Sequence, residues 1–196
     1  MNRTLWRVVA IFFFFVAVLG AGAQPAHYQP ATQRPPDWAR QIIVPGITNF
    51  YQVTTNLYRG AQPTVEGMRQ LKKIGIKTVI NLRAFHTDDE VVTGTGLKSV
   101  RFEMSPLRAQ EDEVVKFLKV VTDTNNLPAF VHCQRGADRT GTMCAMYRIV
   151  VCGWTKKQAL DEMEKGGFHF SPVWQDLVNF IEKADVDDIK RRVNEP

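Results

Sequence analysis

Ala129-Phe130-Val131-His132-Cys133-Gln134-Arg135-Gly136-Ala137-Asp138-Arg139-Thr140-Gly141 reads as a strand, a tight loop and the first turn of a helix. The apolar run 129–131 is the strand, and the apolar-rich run 143–151 continues the helix. Free amides and the helix dipole at such a junction attract an oxyanion. Arg139 stands in the first turn, where its planar fork can hold two phosphate oxygens. The same field stabilises a thiolate at Cys133. Gly136 supplies the positive φ or close backbone approach that the loop requires. Thr140 can donate its hydroxyl to the sulfur. A thiolate facing a cradled phosphate is suited to phosphoryl transfer, with Cys133, Arg139 and Thr140 as its chemical groups. His132, Gln134, Arg135, Gly136, Ala137 and Asp138 complete the expected phosphate-binding loop.

Other readings of the same residues explain less. A buried cysteine packed as a small hydrophobe needs neither Gly136 nor Arg139. His27, His86 and His169 show no ligand spacing with Cys144 or Cys152, which argues against zinc. No Gly-x4-Gly-Lys-Ser/Thr run occurs, so a nucleotide P-loop is excluded.

His132 to Gly141 matches every position of His-Cys-x5-Arg-Thr/Ser-Gly, and so resembles the signature loop of the cysteine-dependent protein tyrosine phosphatase superfamily. Leu57-Tyr58-Arg59-Gly60-Ala61-Gln62-Pro63, then Gly75 to Arg83, resemble the front half of its dual-specificity-like members. Tyr147-Arg148, Gly153-Trp154 and Ala159-Leu160-Asp161-Glu162-Met163 resemble the bacterial branch. Rhodanese-like sulfurtransferases also cradle an anion beside a cysteine, but they do not predict the Arg-Thr-Gly ending.

The resemblance implies a single α/β domain with a central, largely parallel sheet flanked by helices. It implies hydrolysis of phosphate monoesters through a phosphocysteine, with protein tyrosine, serine or threonine phosphate as substrate and with no metal or organic cofactor. Arg135 and the Cys-x-Arg-Gly pattern resemble relatives acting on inositol phosphates, so an inositol phosphate or phosphoinositide substrate is the alternative. A phosphate-recognition module without turnover is the alternative of another class. The superfamily also uses an aspartate on a neighbouring loop as general acid. Asp112 is nearest in type, with Glu111 second, and both equally suit a helix N-terminus. Asp88, Asp89, Glu90 and Asp138 are further candidates.

The 196 residues carry 44% hydrophobic content, enough for one sizeable core. Residues 1–23 stand apart. Arg3 and Arg7 precede the apolar run 8–19, and Ala21-Gly22-Ala23 resembles a cleavage site, together a secretory signal. The run is shorter than the roughly 20 residues a spanning helix needs. Export to the periplasm or medium is therefore the expectation, with an uncleaved membrane anchor as alternative. Cleavage removes two arginines and no acids, lowering the formal charge from +5 to +3. That suits a phosphorylated protein or small anionic phosphoester, not nucleic acid. Membrane contact is expected only if the segment stays, and the protein is expected to be a monomer. Residues 24–40 contain Pro25, Pro30, Pro35 and Pro36 and read as a mobile linker with Trp38 as its one anchor. The domain is expected over 41–184, and 185–196 reads as a frayed charged tail.

Strands are expected at 47–53, 56–59, 77–82, 98–104 and 129–132, with the third buried on both faces. Helices are expected from Thr64, its N-cap, to 74, and over 111–121, 139–152, 155–165 and 172–183. Residues 87–96 read as a polar loop. Thr155 with Gln158 forms a capping box.

Overall fold

The computed structural model describes residues 34–105 and 107–195. The expected signal segment and most of the proline-rich linker lie outside the described residues. The strands are β1 (Arg40–Gln41), β2 (Tyr51–Gln52), β3 (Leu57–Gly60), β4 (Thr78–Asn81), β5 (Lys98–Arg101) and β6 (Ala129–His132). The helices are α1 (Val65–Ile74), α2 (Asp89–Val92), α3 (Glu111–Thr122), α4 (Asp138–Val150), α5 (Lys156–Lys165), α6 (Gln175–Lys183) and α7 (Val186–Asn194).

The sheet runs β1-β2-β3-β6-β4-β5. The two joints at the β1 edge are antiparallel, and the three from β3 to β5 are parallel. This is the α/β sandwich with a largely parallel sheet that the sequence predicts. Side chains alternate across it. Leu57, Ile80, Ala129 and Val131 face the core built with α3, α4 and α5. Tyr58, Val79 and Phe130 face the smaller core with Met68 and Leu71 of α1. Burial on both faces explains the near-continuous apolar runs of β4 and β6. The central strand β6 pairs Gly60 and Asn81 with His132, so the chain enters its loop at Cys133 between two neighbouring strand ends. Ligands of parallel sheets bind at this carboxyl edge.

Local signals act as expected at α1. The Thr64 side chain accepts from the Gly67 N–H, and Gly75, at φ 94°, closes the helix in the left-handed region. The expected strand 47–53 is shortened to Tyr51–Gln52, because Asn49 takes a left-handed φ of 52°. Asparagine tolerates that conformation by virtue of its short polar side chain. The expected loop 87–96 contains the short helix α2.

Two expectations at the ends of the domain are corrected. The linker gives way to ordered chain before residue 41. Ala39 is buried and its N–H donates to Glu162 Oε1 at 2.6 Å, while the Asp37 carbonyl accepts from Arg148 at 3.0 Å. Trp38 is only half-buried, so the backbone on either side of it makes the tether. The supposed frayed tail is α7. Val186, Ile189 and Val193 fall on one helical face, and Ile189 is fully buried against the main core. Sparse apolar residues at helical spacing suffice when α3 offers a surface to cover.

Arg148 and Glu162 form a buried bidentate pair, with Nε–Oε2 at 2.9 Å and Nη2–Oε1 at 2.8 Å. The Arg148 guanidinium also stacks 4.1 Å from the Trp154 ring centroid. Removing one partner leaves an uncompensated buried charge, which costs about 3–5 kcal/mol. Glu162→Ala is therefore expected to lower unfolding free energy by that amount in a urea titration. A change under about 1 kcal/mol would mean that water or a neighbour replaces the carboxylate.

Candidate active site

Every carbonyl of the loop Cys133–Ala137 has a donor, three of them on remote residues and two on the neighbours His132 and Gly141. The Cys133 carbonyl accepts from His132 Nδ1 at 2.9 Å. The Gln134 carbonyl accepts from the Gln62 backbone N–H at 3.2 Å. That of Arg135 accepts from Asn49 Nδ2 at 3.0 Å. The Gly136 carbonyl takes Arg59 Nη2 at 2.7 Å, and the Ala137 carbonyl takes the Gly141 N–H at 2.7 Å. In a planar trans peptide the carbonyl and the following N–H point in opposite directions. Five successive carbonyls bound outward therefore turn the amides of residues 134–138 toward the inside of the loop. Amides turned this way are what an anion cradle requires, and the donors to the carbonyls set their direction.

Arg59 is the deepest of these donors. It is 1% exposed, and its guanidinium lies 3.9 Å from the Phe168 ring centroid. The aromatic face offsets the burial of its charge. Gly136, at φ 68°, passes so close that an added Cβ would meet the Gly60 carbonyl carbon and oxygen at 2.3 Å. No other residue fits there.

Cys133 is 3% exposed at the base of a cavity of about 350 Å³, which Gln134, Arg135, Asp138, Arg139 and Trp174 also line. Arg139 reaches across the strand ends, where Nη1 donates to the Leu82 carbonyl at 3.3 Å and the Met104 carbonyl at 3.4 Å. One edge of its fork is thus anchored and the rest remains for a ligand. Thr140 is fully buried, and its hydroxyl oxygen has no hydrogen-bond partner among the described residues, so the expected bond to the sulfur is not made here. Of the other two cysteines, Cys144 is buried and its thiol is pushed up to about 11 by desolvation. Burial also raises that of Cys152.

The expected general acid is elsewhere. Asp112 is exposed on the first turn of α3 and paired with Arg192 of α7. Glu111 faces the same arginine at 3.6 Å. Both carboxylates compensate a helix start and tie α3 to α7, and neither lines the cavity. Among the described residues the carboxylate that does so is Asp138, whose Oδ1 accepts the Ser171 N–H at 2.9 Å. Asp88 is buried beside His132, with Oδ2 at 2.7 Å from Nε2. Arg59, Asn49 and Gln62 gave no sign in the sequence of holding the loop, since their contacts span the whole domain.

A second cavity, about 400 Å³, opens between Gln62, Phe85, His86 and Arg101. Phe85 is 99% exposed at its lip. Gln62 bridges His86 and Arg83.

A family model described as DSP-PTPase phosphatase fused to NAD+ kinase matches residues 47–178. The chain is 36% identical over 181 residues to the dual specificity protein phosphatase TpbA of Pseudomonas aeruginosa, covering 89% of this chain and 80% of that protein. It is 28% identical over 153 residues to the inositol diphosphatase DSP3 of Arabidopsis thaliana, covering 74% and 73%. The crystal structure of a cysteine-to-serine variant of P. aeruginosa TpbA in complex with pTyr superposes with a TM-score of 0.74 at 31% identity. The match covers 83% of this chain and 99% of that one.

Proposed function

The chain belongs to the dual-specificity-like family of cysteine-based phosphatases, and from that premise we propose that Cys133 carries the phosphoryl group and that phosphotyrosyl protein is the substrate. The observation that carries the reading is the loop whose five carbonyls are all taken by donors. It leaves a ring of amides above one cysteine, with Arg139 at the rim.

Cys133 Sγ attacks phosphorus, the S–P bond forms, and the bond to the leaving oxygen breaks. Asp138 delivers the proton which that oxygen needs. Water then attacks phosphorus, Asp138 takes its proton, the S–P bond breaks and inorganic phosphate leaves. The amides and Arg139 stabilise the equatorial oxygens in both steps, an electrostatic contribution set before the substrate arrives. Trp174 on the cavity wall and Phe85 on the neighbouring lip offer aromatic faces to an aryl phosphate. The relative with phosphotyrosine bound supports the same class.

A second reading has its own support. Arg135 is exposed on the loop, and Arg101 and His86 line the adjoining cavity, a basic surface that suits an inositol phosphate. The inositol diphosphatase relative points the same way.

Two comparisons test the proposal. A phosphotyrosyl peptide is expected to show a higher kcat/KM than an inositol polyphosphate, and the reverse order would favour the second reading. Asp138→Asn is expected to lower kcat about 10²-fold or more with a phosphoseryl peptide, and only mildly with nitrophenyl phosphate, whose leaving group needs no proton. Equal losses on both substrates would remove Asp138 from proton transfer.

A further inference from the structure

We propose that Asp88 is a positioning residue for the nucleophile, acting through the buried imidazole of His132 to hold the Cys133 peptide. This rests on Cys133 being the nucleophile.

Asp88 stands at the N-cap position of α2, where an aspartate ordinarily accepts an amide of its own helix. It makes no such bond. Its side chain turns inward instead, with no exposure, and places Oδ2 at 2.7 Å from His132 Nε2. Its other oxygen, Oδ1, is buried without a hydrogen-bond partner among the described residues. A carboxyl group that gives up a cap and leaves one oxygen unpaired in the interior holds a costly place, and buried polar groups of that kind call for an explanation. Contact with His132 supplies it.

The imidazole can transmit the contact because its other nitrogen is committed. His132 Nδ1 lies 2.9 Å from the Cys133 carbonyl oxygen, which can only accept, so Nδ1 carries a hydrogen. The short Nε2–Oδ2 contact must then hold one further proton, either as N–H facing a carboxylate or as O–H facing the nitrogen lone pair. Both arrangements are neutral overall, and both fix the ring. Phe130 stacks on it at 5.8 Å with an interplanar angle of 20°. The ring in turn binds the carbonyl that precedes the Gln134 amide, the first donor of the cradle. Asp88 therefore fixes the ring, the ring fixes the Cys133 peptide, and the peptide aims both the sulfur and the first amide.

The same residue ends the segment that carries Phe85 and His86 on the rim. Asn81 pins that segment from within, donating to the His86 carbonyl at 3.0 Å and accepting the Arg83 N–H at 2.8 Å. Asp88 pins its far end.

The test compares Asp88→Ala and Asp88→Asn with the wild-type chain. Asparagine can donate an amide hydrogen to Nε2 and keep the ring in place without the carboxylate, whereas alanine cannot. Steady-state hydrolysis of nitrophenyl phosphate and the rate of inactivation by iodoacetamide at neutral pH are measured. Burial raises the other two thiols, and peptide mapping assigns the alkylated cysteine. Alanine is expected to lower kcat about 10²-fold, the scale of a small misplacement of a reacting group, with KM changed far less. Alkylation of Cys133 should slow in parallel, and asparagine should recover most of both losses. Should the alanine variant not fold, Asp88→Ser, too short to reach Nε2, takes its place. Wild-type kcat and alkylation in the alanine or serine variant would overturn the proposal, as would asparagine as impaired as alanine in a cooperatively folded protein. If Cys133→Ser instead retains activity, it is the functional reading that fails.

Discussion

Cys133→Ser is expected to abolish turnover of every phosphate monoester while leaving oxyanion binding largely intact. The reason lies in the division of labour at the site. On the proposed reading, affinity for the anion comes from the amides of residues 134–138, whose carbonyl partners include Gln62, Asn49, Arg59 and His132. None of these depends on the sulfur. Attack on phosphorus does depend on it, because a serine hydroxyl at the same place stays protonated at neutral pH and is a far weaker nucleophile than a thiolate. Losing a nucleophile of this kind costs on the order of 10⁴–10⁶-fold in kcat. Vanadate or phosphate should still bind the variant, measured by calorimetry, within about tenfold of the wild-type affinity. Loss of binding together with turnover would mean that the cysteine is a structural member of the loop.

Arg139→Lys is the second large effect, even though charge is conserved. One edge of the Arg139 fork donates to the Leu82 and Met104 carbonyls, which fixes the plane of the guanidinium across the cavity mouth. A lysine ammonium is a point charge on a flexible stem and cannot keep both anchors and two phosphate contacts. The stabilisation it forgoes is greatest when charge spreads over the equatorial oxygens, so kcat should fall about 10²–10³-fold. KM should change less, since the amides still hold the ground-state phosphate. An active Arg139→Lys enzyme would show that the arginine serves long-range attraction alone.

The loop could be read from a short run of sequence because Cys133, Gly136 and Arg139 are local to one strand–loop–helix junction. What aims the cradle could not. Arg59 reaches Gly136 across 77 positions, Asn49 reaches Arg135 across 86, and Asp88 reaches His132 across 44. Each is an ordinary polar residue until the sheet order β3-β6-β4 brings the strand ends together. The same reason hid the pairing of Asp112. The sequence pointed to it as the acid nearest in type, but in the first turn of α3 its side chain pairs with Arg192 of α7. The helix carrying Arg192 was hidden in a charge-rich run whose few apolar residues, Val186, Ile189 and Val193, acquire meaning only against α3. By contrast, Thr64, and Thr155 with Gln158, start their helices as expected, since a cap is complete within four or five residues of backbone.

The most direct test of the account is to catch the covalent intermediate. Enzyme turning over nitrophenyl phosphate is quenched in acid within the first turnovers, digested, and its cysteine peptides weighed by mass spectrometry. A phosphoryl group is expected on the peptide containing Cys133, absent from those containing Cys144 and Cys152, and absent when vanadate is present. A phosphoryl group on any other residue, or an unmodified Cys133 peptide while a burst of nitrophenol is released, would contradict it.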